Sequence, residues 1–588
     1  MAASISSEST QLETTKNSRK RGEEVDSLSH SSEAEKNEVV IAQEADDHSP
    51  QQKREVSEQK EEFSEEMATV DIEQQSAKGP APSIGHKAAV LLFVGLAMAT
   101  FLASLDGTII ATALPKIASD FKAQSQMSWV ATAYLLTFNA FQPLYGKFSD
   151  IFGRKIMILF AIAMFMIGSA GAGGAKSMTM LIVFRAIQGL GGSGLLSIPL
   201  IIISDIFTID ERPKYQSIIW SVFGVSSVVG PLLGGVFVQQ VTWRWCFLIN
   251  LPLGVVTIIS VLLFLRLPFK RQQLKEQLER IDYAGTCMII ATVICLLLPI
   301  TWGGTTYAWD SAVIIALFCV FAVLVVILIW VESKAVEAVI PPRLFFNKTV
   351  SVLFGVNFLT GMSFLGVIFY SPIYFQVVKG VGATSSGLHL MPMVLGLVVA
   401  SIASGAALSK IRDYRIFIWV GTVMMSIGVG LCMLFDANSG MGQQIGFLLI
   451  VGLGIGLILQ TCMLAAQAAV EKEDMAVVTA LCGFFNSIGG GVGIAMCSAL
   501  FNNRLETNIS KFPEYALDVL AQYNVAQSIT AVQDLPPDVK ALVVEAYVSA
   551  FQFIFKCITP IACMAFLLSL FIRKLRMLDP SEVVMAAG

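Results

Sequence analysis

A single carboxylate interrupts the first long apolar segment of this sequence. Asp106 lies within the apolar run near 88–114. An ionised carboxylate close to the middle of a bilayer is costly, so such a group can bind a proton there and release it when exposed to water. Asp106 is therefore our candidate for proton coupling. The alternative is a structural carboxylate that is satisfied by donors on neighbouring helices.

A run rich in glycine and charge joins the second and third apolar segments. It reads GKFSDIFGRK and contains Gly146, Asp150, Gly153, Arg154 and Lys155. Glycine permits close helix approach, and an acid at a helix end followed by basic residues suits a charge clamp between helix ends. We predict that these residues act as a conformational clamp and not as substrate ligands. The alternative is that the basic residues only set topology.

The fifth apolar segment contains a proline among glycines, namely Gly230, Pro231, Gly234 and Gly235. Proline removes a backbone donor and bends a helix, while the glycines allow a partner helix to pack closely. The pattern predicts a specialised helix contact. It leaves open whether that contact serves only packing or also controls transport.

Several polar side chains within apolar segments are candidates for lining a substrate cavity. Polar groups in a lipid-embedded chain turn inward, although many of them only hold helices together. The candidates are Asn139, Gln142, Gln188, Asn357, Tyr370, Gln460 and Asn486.

These residues require a scaffold of membrane-spanning helices. A hydrocarbon core about 30 Å thick is crossed by about 20 apolar residues in a helix. We predict fourteen such spans and hence an all-α polytopic membrane protein. They lie near 88–114, 126–146, 156–175, 179–203, 216–238, 246–267, 282–302, 311–332, 349–376, 385–409, 415–435, 444–470, 476–500 and 550–572.

Lysine and arginine are concentrated in alternate loops and at the C-terminus, which by the positive-inside asymmetry predicts that both termini are cytosolic. The same topology places the long loop 501–549 outside the cytosol. Asn508 opens an Asn-Ile-Ser sequon in that loop, so we predict it as a candidate glycosylation site.

The chain has two parts of different composition. Residues 1–80 carry 19 acidic and 9 basic residues, and this polar, Ser- and Glu-rich segment predicts a disordered tail. The remainder is apolar and mildly basic, and neither part supports a claim about nucleic acid, so we expect no nucleic-acid partner. The ten cysteines include no CxxC pair and no Cys/His cluster, so we predict neither a metal site nor a cofactor.

The motifs together resemble those of the major facilitator superfamily over about 81–575. The 146–155 run resembles its loop signature, and Leu181–Arg185 with Gln188 resembles its fourth-span motif. Gly230–Gly235 is similar to its antiporter motif, with Ser226 in place of the usual first glycine. Leu105–Pro115 and Trp243–Pro252 resemble motifs of fourteen-span drug:proton antiporters, and the whole looks closest to fungal toxin and drug efflux pumps.

This resemblance implies two six-helix bundles around a midplane cavity with two helices inserted between them. It implies that Arg185 pairs with the proton site and that the antiporter motif seals the pathway against leak. The expected organisation is a cytosolic tail at 1–80, a first bundle at 81–268, a basic linker with the inserted helices at 269–335, a second bundle at 336–575 and a short cytosolic tail at 576–588.

The resulting expectation is proton-coupled efflux of small apolar or amphipathic compounds across the cell membrane, with the vacuolar membrane as the alternative location. The expected partners are the small-molecule substrate, protons and the lipid bilayer; the oligomeric state is open.

The main alternative is a symporter or facilitator of the same fold that imports a small solute. The absence of a G-x-x-x-x-G-K-[ST] motif argues against an ATP-driven pump, and the four histidines are too few to suggest a membrane-embedded enzyme. A sensor with the same fold would carry a longer cytosolic extension.

Overall fold

The computed structural model describes residues 86–123, 126–207, 211–265, 274–304, 306–335, 337–411, 413–522, 532–533 and 535–574. Within these ranges the chain is built from α-helices, and no β-strand occurs. The predicted tails at 1–80 and 576–588 lie outside the described residues, as do residues 266–273 between the sixth and seventh spans.

The first bundle contains six long helices. They are α1 His86–Asp120, α2 Met127–Phe152, α3 Arg154–Gly173, α4 Met178–Ile206, α5 Arg212–Gln240 and α6 Asn250–Phe264, the last preceded by a helical turn at Trp245–Leu248. Only Gly153 separates α2 from α3. Its φ of 89° lies in the region that favours glycine, so this residue can reverse the chain between two helices without a longer loop.

Two helices are inserted before the second bundle, α7 Tyr283–Trp302 and α8 Ala312–Lys334, with a short helix at Leu274–Glu279 ahead of them. They pack against each other, and α7 also contacts α2 and α13. α8 is largely uncovered by the rest of the protein, as expected for a helix that faces lipid.

The second bundle contains the remaining long helices. They are α9 Lys348–Val377, α10 Met391–Ile411, α11 Tyr414–Cys432, α12 Met441–Ala468, α13 Met475–Ile509 and α14 Pro537–Ser569. Short helices occur at Arg343–Phe346, Ala383–Leu388, Lys472–Asp474 and Glu514–Gln522.

The prediction of a polytopic all-α membrane fold is confirmed. Thirteen helical segments among the described residues are long and apolar enough to cross a membrane. The other predicted span is α2, a helix of 26 residues that falls outside this set. Its length suffices for a crossing, but Asn139, Gln142 and Pro143 reduce its apolar character.

The loop expected at 501–549 is shorter in the structure, because helices extend into it from both sides. α13 continues to Ile509, α14 begins at Pro537, and a short helix forms at Glu514–Gln522. Apolar residues such as Val539, Val543 and Phe501 are buried in these extensions, which explains why the helices persist beyond the apolar segments.

The bundles meet along a seam formed by α5 with α10 and by α2 with α13. We call the end of the molecule that carries residues 146–155 the clamp face, and the other end, which carries residues 240–250, the opposite face.

Candidate functional site

The structure brings Asp106 of α1 and Arg185 of α4 into direct contact. Both side chains are buried, with relative exposures of 0% and 1%. Arg185 Nη1 lies 2.5 Å from Asp106 Oδ2. An Arg–carboxylate contact of this kind is a charge-assisted hydrogen bond, so each charge neutralises the other within the apolar bundle.

Two amides complete the surroundings of the Asp106 carboxylate. Gln188 Nε2 donates to Oδ1 at 2.7 Å, and Asn250 Nδ2 donates to the same oxygen at 3.1 Å. Ser169 Oγ of α3 accepts from both amides, at 2.7 Å and 3.3 Å. The carboxylate thus joins four helices, α1, α3, α4 and α6, through one hydrogen-bonded network.

Arg185 is held from three further directions. Its Nε donates to the carbonyl of Val130 on α2 at 3.1 Å, and its Nη1 donates to Gln188 Oε1 at 2.8 Å. The guanidinium also lies over the ring of Tyr134, 4.3 Å from the centroid, which is a cation–π contact. Arg185 therefore has partners that would remain if Asp106 were neutralised.

The network lies nearer to the opposite face than to the clamp face. On α4, about 10 Å of helical rise separates Arg185 from the first residue, Met178. Beyond the network, Trp243 donates to Asp120 at 2.9 Å and Arg244 donates to the carbonyls of Gly173 and Ala175. These bonds tie the helix ends of the first bundle together on the opposite face.

The glycines of α5 pack directly against α1, one turn beyond Asp106. A Cβ at Gly230 would overlap Thr108, and a Cβ at Gly234 would overlap Thr112 and the Ile109 carbonyl. Thr108 Oγ1 also donates to the carbonyl of Ser226 at 3.3 Å. The other side of α5 contacts α10 of the second bundle, so α5 lies between the Asp106 helix and the seam.

The clamp residues link several helix ends on the clamp face. Arg154 is 2.6 Å from Asp150 of α2 and 2.7 Å from Asp205 of α4. Lys155 Nζ donates to the carbonyls of Leu262 and Leu265 at the end of α6. A Cβ at Gly146 would lie 3.0–3.1 Å from α13 atoms, so this residue permits close contact between α2 and the second bundle.

A chain of uncharged amides closes the seam on the same face. Gln216 of α5 donates to Gln467 of α12 at 3.1 Å, and Gln467 donates to Thr479 of α13 at 2.9 Å. Gln460 of α12 donates to the carbonyl of Pro213 at 2.5 Å. The two bundles are therefore hydrogen-bonded to each other at the clamp face.

The seven cavity candidates do not converge on one place. Gln188 belongs to the Asp106 network and Gln460 to the seam. Gln142 lies beside Gly483 of α13 at the seam, and Asn139 donates to its own helix. Asn486 donates to the Asn357 carbonyl where α13 meets α9. Tyr370 packs against Phe501, with ring centroids 5.6 Å apart.

Three members of the Asp106 network were not among the predicted site residues: Asn250, Ser169 and Tyr134. Asn250 falls within the Trp243–Pro252 motif, and a polar residue at the start of an otherwise apolar helix was an available signal. Ser169 lies in a run of small residues and carried no comparable signal.

The predicted sequon lies in a helix instead of a loop. Asn508 is in the last turn of α13, and its Nδ2 donates to the Ala546 carbonyl of α14 at 3.4 Å. A glycan would replace one of the two hydrogens on this nitrogen and leave a single N–H for the Ala546 carbonyl.

Comparison with known proteins gives consistent matches. Residues 96–494 match the family described as the Major Facilitator Superfamily. The MFS-type efflux pump MFS1 of Arthroderma benhamiae is 42% identical over 426 residues, which are 72% of this chain and 79% of that protein. The multidrug transporter protein MdtP of Bacillus subtilis is 39% identical over 414 residues, 70% of this chain and 75% of that protein.

A solved structure supports the same fold. The human organic anion transporter MFSD10 superposes with a TM-score of 0.55 at 12% sequence identity. The match covers 84% of this chain and 100% of that one.

Proposed function

Because this chain belongs to the major facilitator superfamily and is a multi-pass membrane transporter and not an enzyme, we propose that it exports small apolar or amphipathic compounds in exchange for protons. The observation that carries this proposal is the buried Asp106–Arg185 pair with its two amides. The carboxylate is the proton carrier, and Arg185 is the residue that responds to its charge.

Protonation of Asp106 changes the network in a defined way. The ionised carboxylate accepts hydrogen bonds from Arg185, Gln188 and Asn250. A proton on Oδ2 removes the negative charge and places a donor against the donor of Arg185. Arg185 retains Val130, Gln188 and Tyr134 as partners, so proton binding weakens the link between α1 and α4 without leaving the guanidinium unsatisfied.

The α5 glycines connect this local change to the seam. α1 and α5 are in close contact at Gly230 and Gly234, and α5 contacts α10 of the second bundle. A shift of α1 is therefore passed to the helix that borders the other bundle. Rocking of the bundles about this seam is the form of alternating access that the proposal requires.

An aromatic cluster on the seam suits an apolar cargo. Trp220 and Phe223 of α5 have ring centroids 5.7 Å apart, and Phe223 lies 6.4 Å from Phe364 of α9. The indole Nε1 of Trp220 is buried and has no hydrogen-bond partner among the described residues. These rings offer an apolar surface with one unused donor, and the relatives named as efflux pump and multidrug transporter support the same cargo class.

The proposed orientation places the clamp face in the cytosol and the opposite face outside the cell membrane. The excess of Lys and Arg in the clamp-face loops supports it. With Asp106 nearer to the opposite face, protons enter from outside, and each charge that moves inward gains about 2.3 kcal/mol per 100 mV.

The test uses the purified full chain in liposomes with rhodamine 6G as an amphipathic probe. We expect the dye to move against its own concentration gradient while protons flow down theirs in the opposite direction. This uphill movement should be lost in Asp106→Asn. Asp120→Asn on the same helix is the matched control, because Asp120 binds Trp243 outside the network. Undiminished uphill transport in Asp106→Asn contradicts the carrier assignment, and dye movement in the same direction as protons indicates an importer.

A further inference from the structure

One acidic side chain in the inserted helices is buried although its helix is not. Of the residues in α8, only Ile314 and Glu332 are buried, and Glu332 is 3% exposed. A buried carboxylate on a helix that otherwise faces outward requires a partner, since an unpaired buried charge is costly.

Only half of the Glu332 carboxylate has such a partner. Oε2 accepts a hydrogen bond from the backbone N–H of Ile340 at 3.0 Å. Oε1 is buried and has no hydrogen-bond partner among the described residues. The Ile340 bond anchors the segment that leaves α8 back onto the end of that helix.

A second incompletely satisfied carboxylate faces Glu332. Asp282 caps α7 by accepting from the Gly285 N–H at 2.7 Å through Oδ1, whereas its Oδ2 is buried without a partner in the described part of the chain. A Cβ at Gly285 would overlap both Asp282 Oδ2 and Glu332 Oε1. The two unpartnered oxygens therefore lie next to the same point, where glycine leaves room for them.

The nearby cations are engaged by a third acid. Glu337 Oε2 lies 2.9 Å from Lys147 Nζ, and Arg280 donates to both Glu337 oxygens at 2.6 and 3.1 Å. The other charged groups near the facing carboxylates are thus Arg280 ahead of α7, Lys147 from α2, and Glu337 from the segment after α8. No ion pair between Glu332 or Asp282 and a basic residue occurs among the described residues.

We propose that Asp282 and Glu332 bind one shared proton, which makes the junction of α7 and α8 a second protonation site distinct from Asp106. Two carboxylates that face each other without a cation do not both ionise readily, because like charges and burial each favour the protonated form of one of them. The bound proton lies between Oε1 and Oδ2 and turns two unsatisfied acceptors into a hydrogen bond.

The site is placed to influence the clamp face. Loss of the proton makes the two carboxylates repel each other across the α7–α8 contact. Glu332 also holds Ile340, and the segment between them carries Glu337, which binds Lys147 next to Gly146 of the clamp. A change in the protonation of the pair therefore acts on α2 through the segment that carries Glu337.

Infrared difference spectroscopy of the purified full chain tests this directly. All samples carry Asp106→Asn, so the outcome does not depend on the proposed coupling residue. Between about pH 6 and pH 8, where ordinary carboxylates with pKa near 4 are ionised, we expect a carboxylic-acid C=O band that disappears as pH rises. Glu332→Gln and Asp282→Asn should each abolish it. Glu506→Gln, at an exposed position, should leave it unchanged.

Thermal melting gives an independent readout. A proton held by the folded pair and not by the unfolded chain makes stability fall as pH rises through this interval. Glu332→Gln should remove this slope, since its amide can donate to Asp282 Oδ2. Asp282→Asn should do the same, because Asn still caps a helix, and it serves if Glu332→Gln fails to fold. An unchanged band and slope in the variants overturn the proposal, as does a melting temperature that rises with added Na⁺ or Ca²⁺ and shows no titration.

Discussion

The first bundle, α1–α6, buries a charged pair, whereas every buried polar side chain in the described residues of the second bundle, α9–α14, is uncharged. In the first bundle, Asp106 and Arg185 are surrounded by amides and an aromatic ring. In the second, the charged side chains among the described residues are partly or fully exposed, as in the Asp413–Arg415 pair, and the buried polar side chains are Ser, Thr, Asn and Gln. Under the proposed function, the proton gradient acts on the buried charges of the first bundle, while the second bundle contributes uncharged side chains to the seam.

The largest expected effect comes from leaving one member of the buried pair alone. Arg185→Leu leaves the buried Asp106 carboxylate without its charge partner and with only the amide donors beside it, and removal of one partner of a buried pair costs about 3–5 kcal/mol. Arg415→Leu is the matched change in the second bundle, where a partly exposed pair is worth about 0–1 kcal/mol. Thermal melting of the two purified variants should therefore differ clearly. Equal losses of stability would contradict the comparison.

A smaller effect is expected from the glycines that let α5 pack closely against α1 within the first bundle. A Cβ at Gly234 would overlap the Ile109 carbonyl and Thr112, so Gly234→Ala should cost about 1–3 kcal/mol through overpacking and impair uphill transport of the dye. Gly446→Ala on α12 is the control, because nothing lies within 4 Å of its added Cβ. It should be neutral or stabilising by up to about 1 kcal/mol. If both substitutions behave alike, the α1–α5 contact is not as tight as described.

The smallest expected effect concerns the charges of the second bundle. The hydrogen bond from Arg415 lowers the pKa of Asp413 below its usual value, although burial opposes it. A carboxylate with a lowered pKa stabilises the folded state above its unfolded pKa of about 3.9, and this contribution is lost as pH falls through the folded value. Asp413→Asn should therefore reduce the acid sensitivity of melting slightly, with Asp518→Asn as the exposed control. A larger acid sensitivity in Asp413→Asn would contradict this sign.

The helices could be predicted from the sequence because long apolar segments leave few alternatives in a bilayer. Asp106 could be singled out because it is a lone carboxylate in an otherwise apolar segment. Its pairing with Arg185 was implied by the family resemblance. Which neutral residues join the network could not be predicted in the same way. Ser169 and Tyr134 look like ordinary helix residues until the rotation of α2 and α3 about their axes is known.

The amides of the seam show the same limit. Gln460 was predicted as a cavity residue, yet it donates to the Pro213 carbonyl across the seam. An amide in an apolar segment indicates an inward-facing position, but only the relative placement of the bundles decides whether it meets cargo or backbone. The contact between Glu332 and Asp282 could not be predicted from the sequence either. The two residues are fifty apart in sequence and meet because α8 runs back along α7.

The composition of α2 has a consequence for how the protein is made. As each helix leaves the ribosome, its insertion into the bilayer depends on how apolar its side chains are. α2 is less apolar than the helices on either side of it, because it contributes amides to the interior. We expect α2 to enter the membrane together with α3, joined to it by Gly153 alone, as a preassembled hairpin. Nascent chains truncated after residue 152 should therefore leave α2 outside the bilayer, whereas chains that include α3 should integrate both.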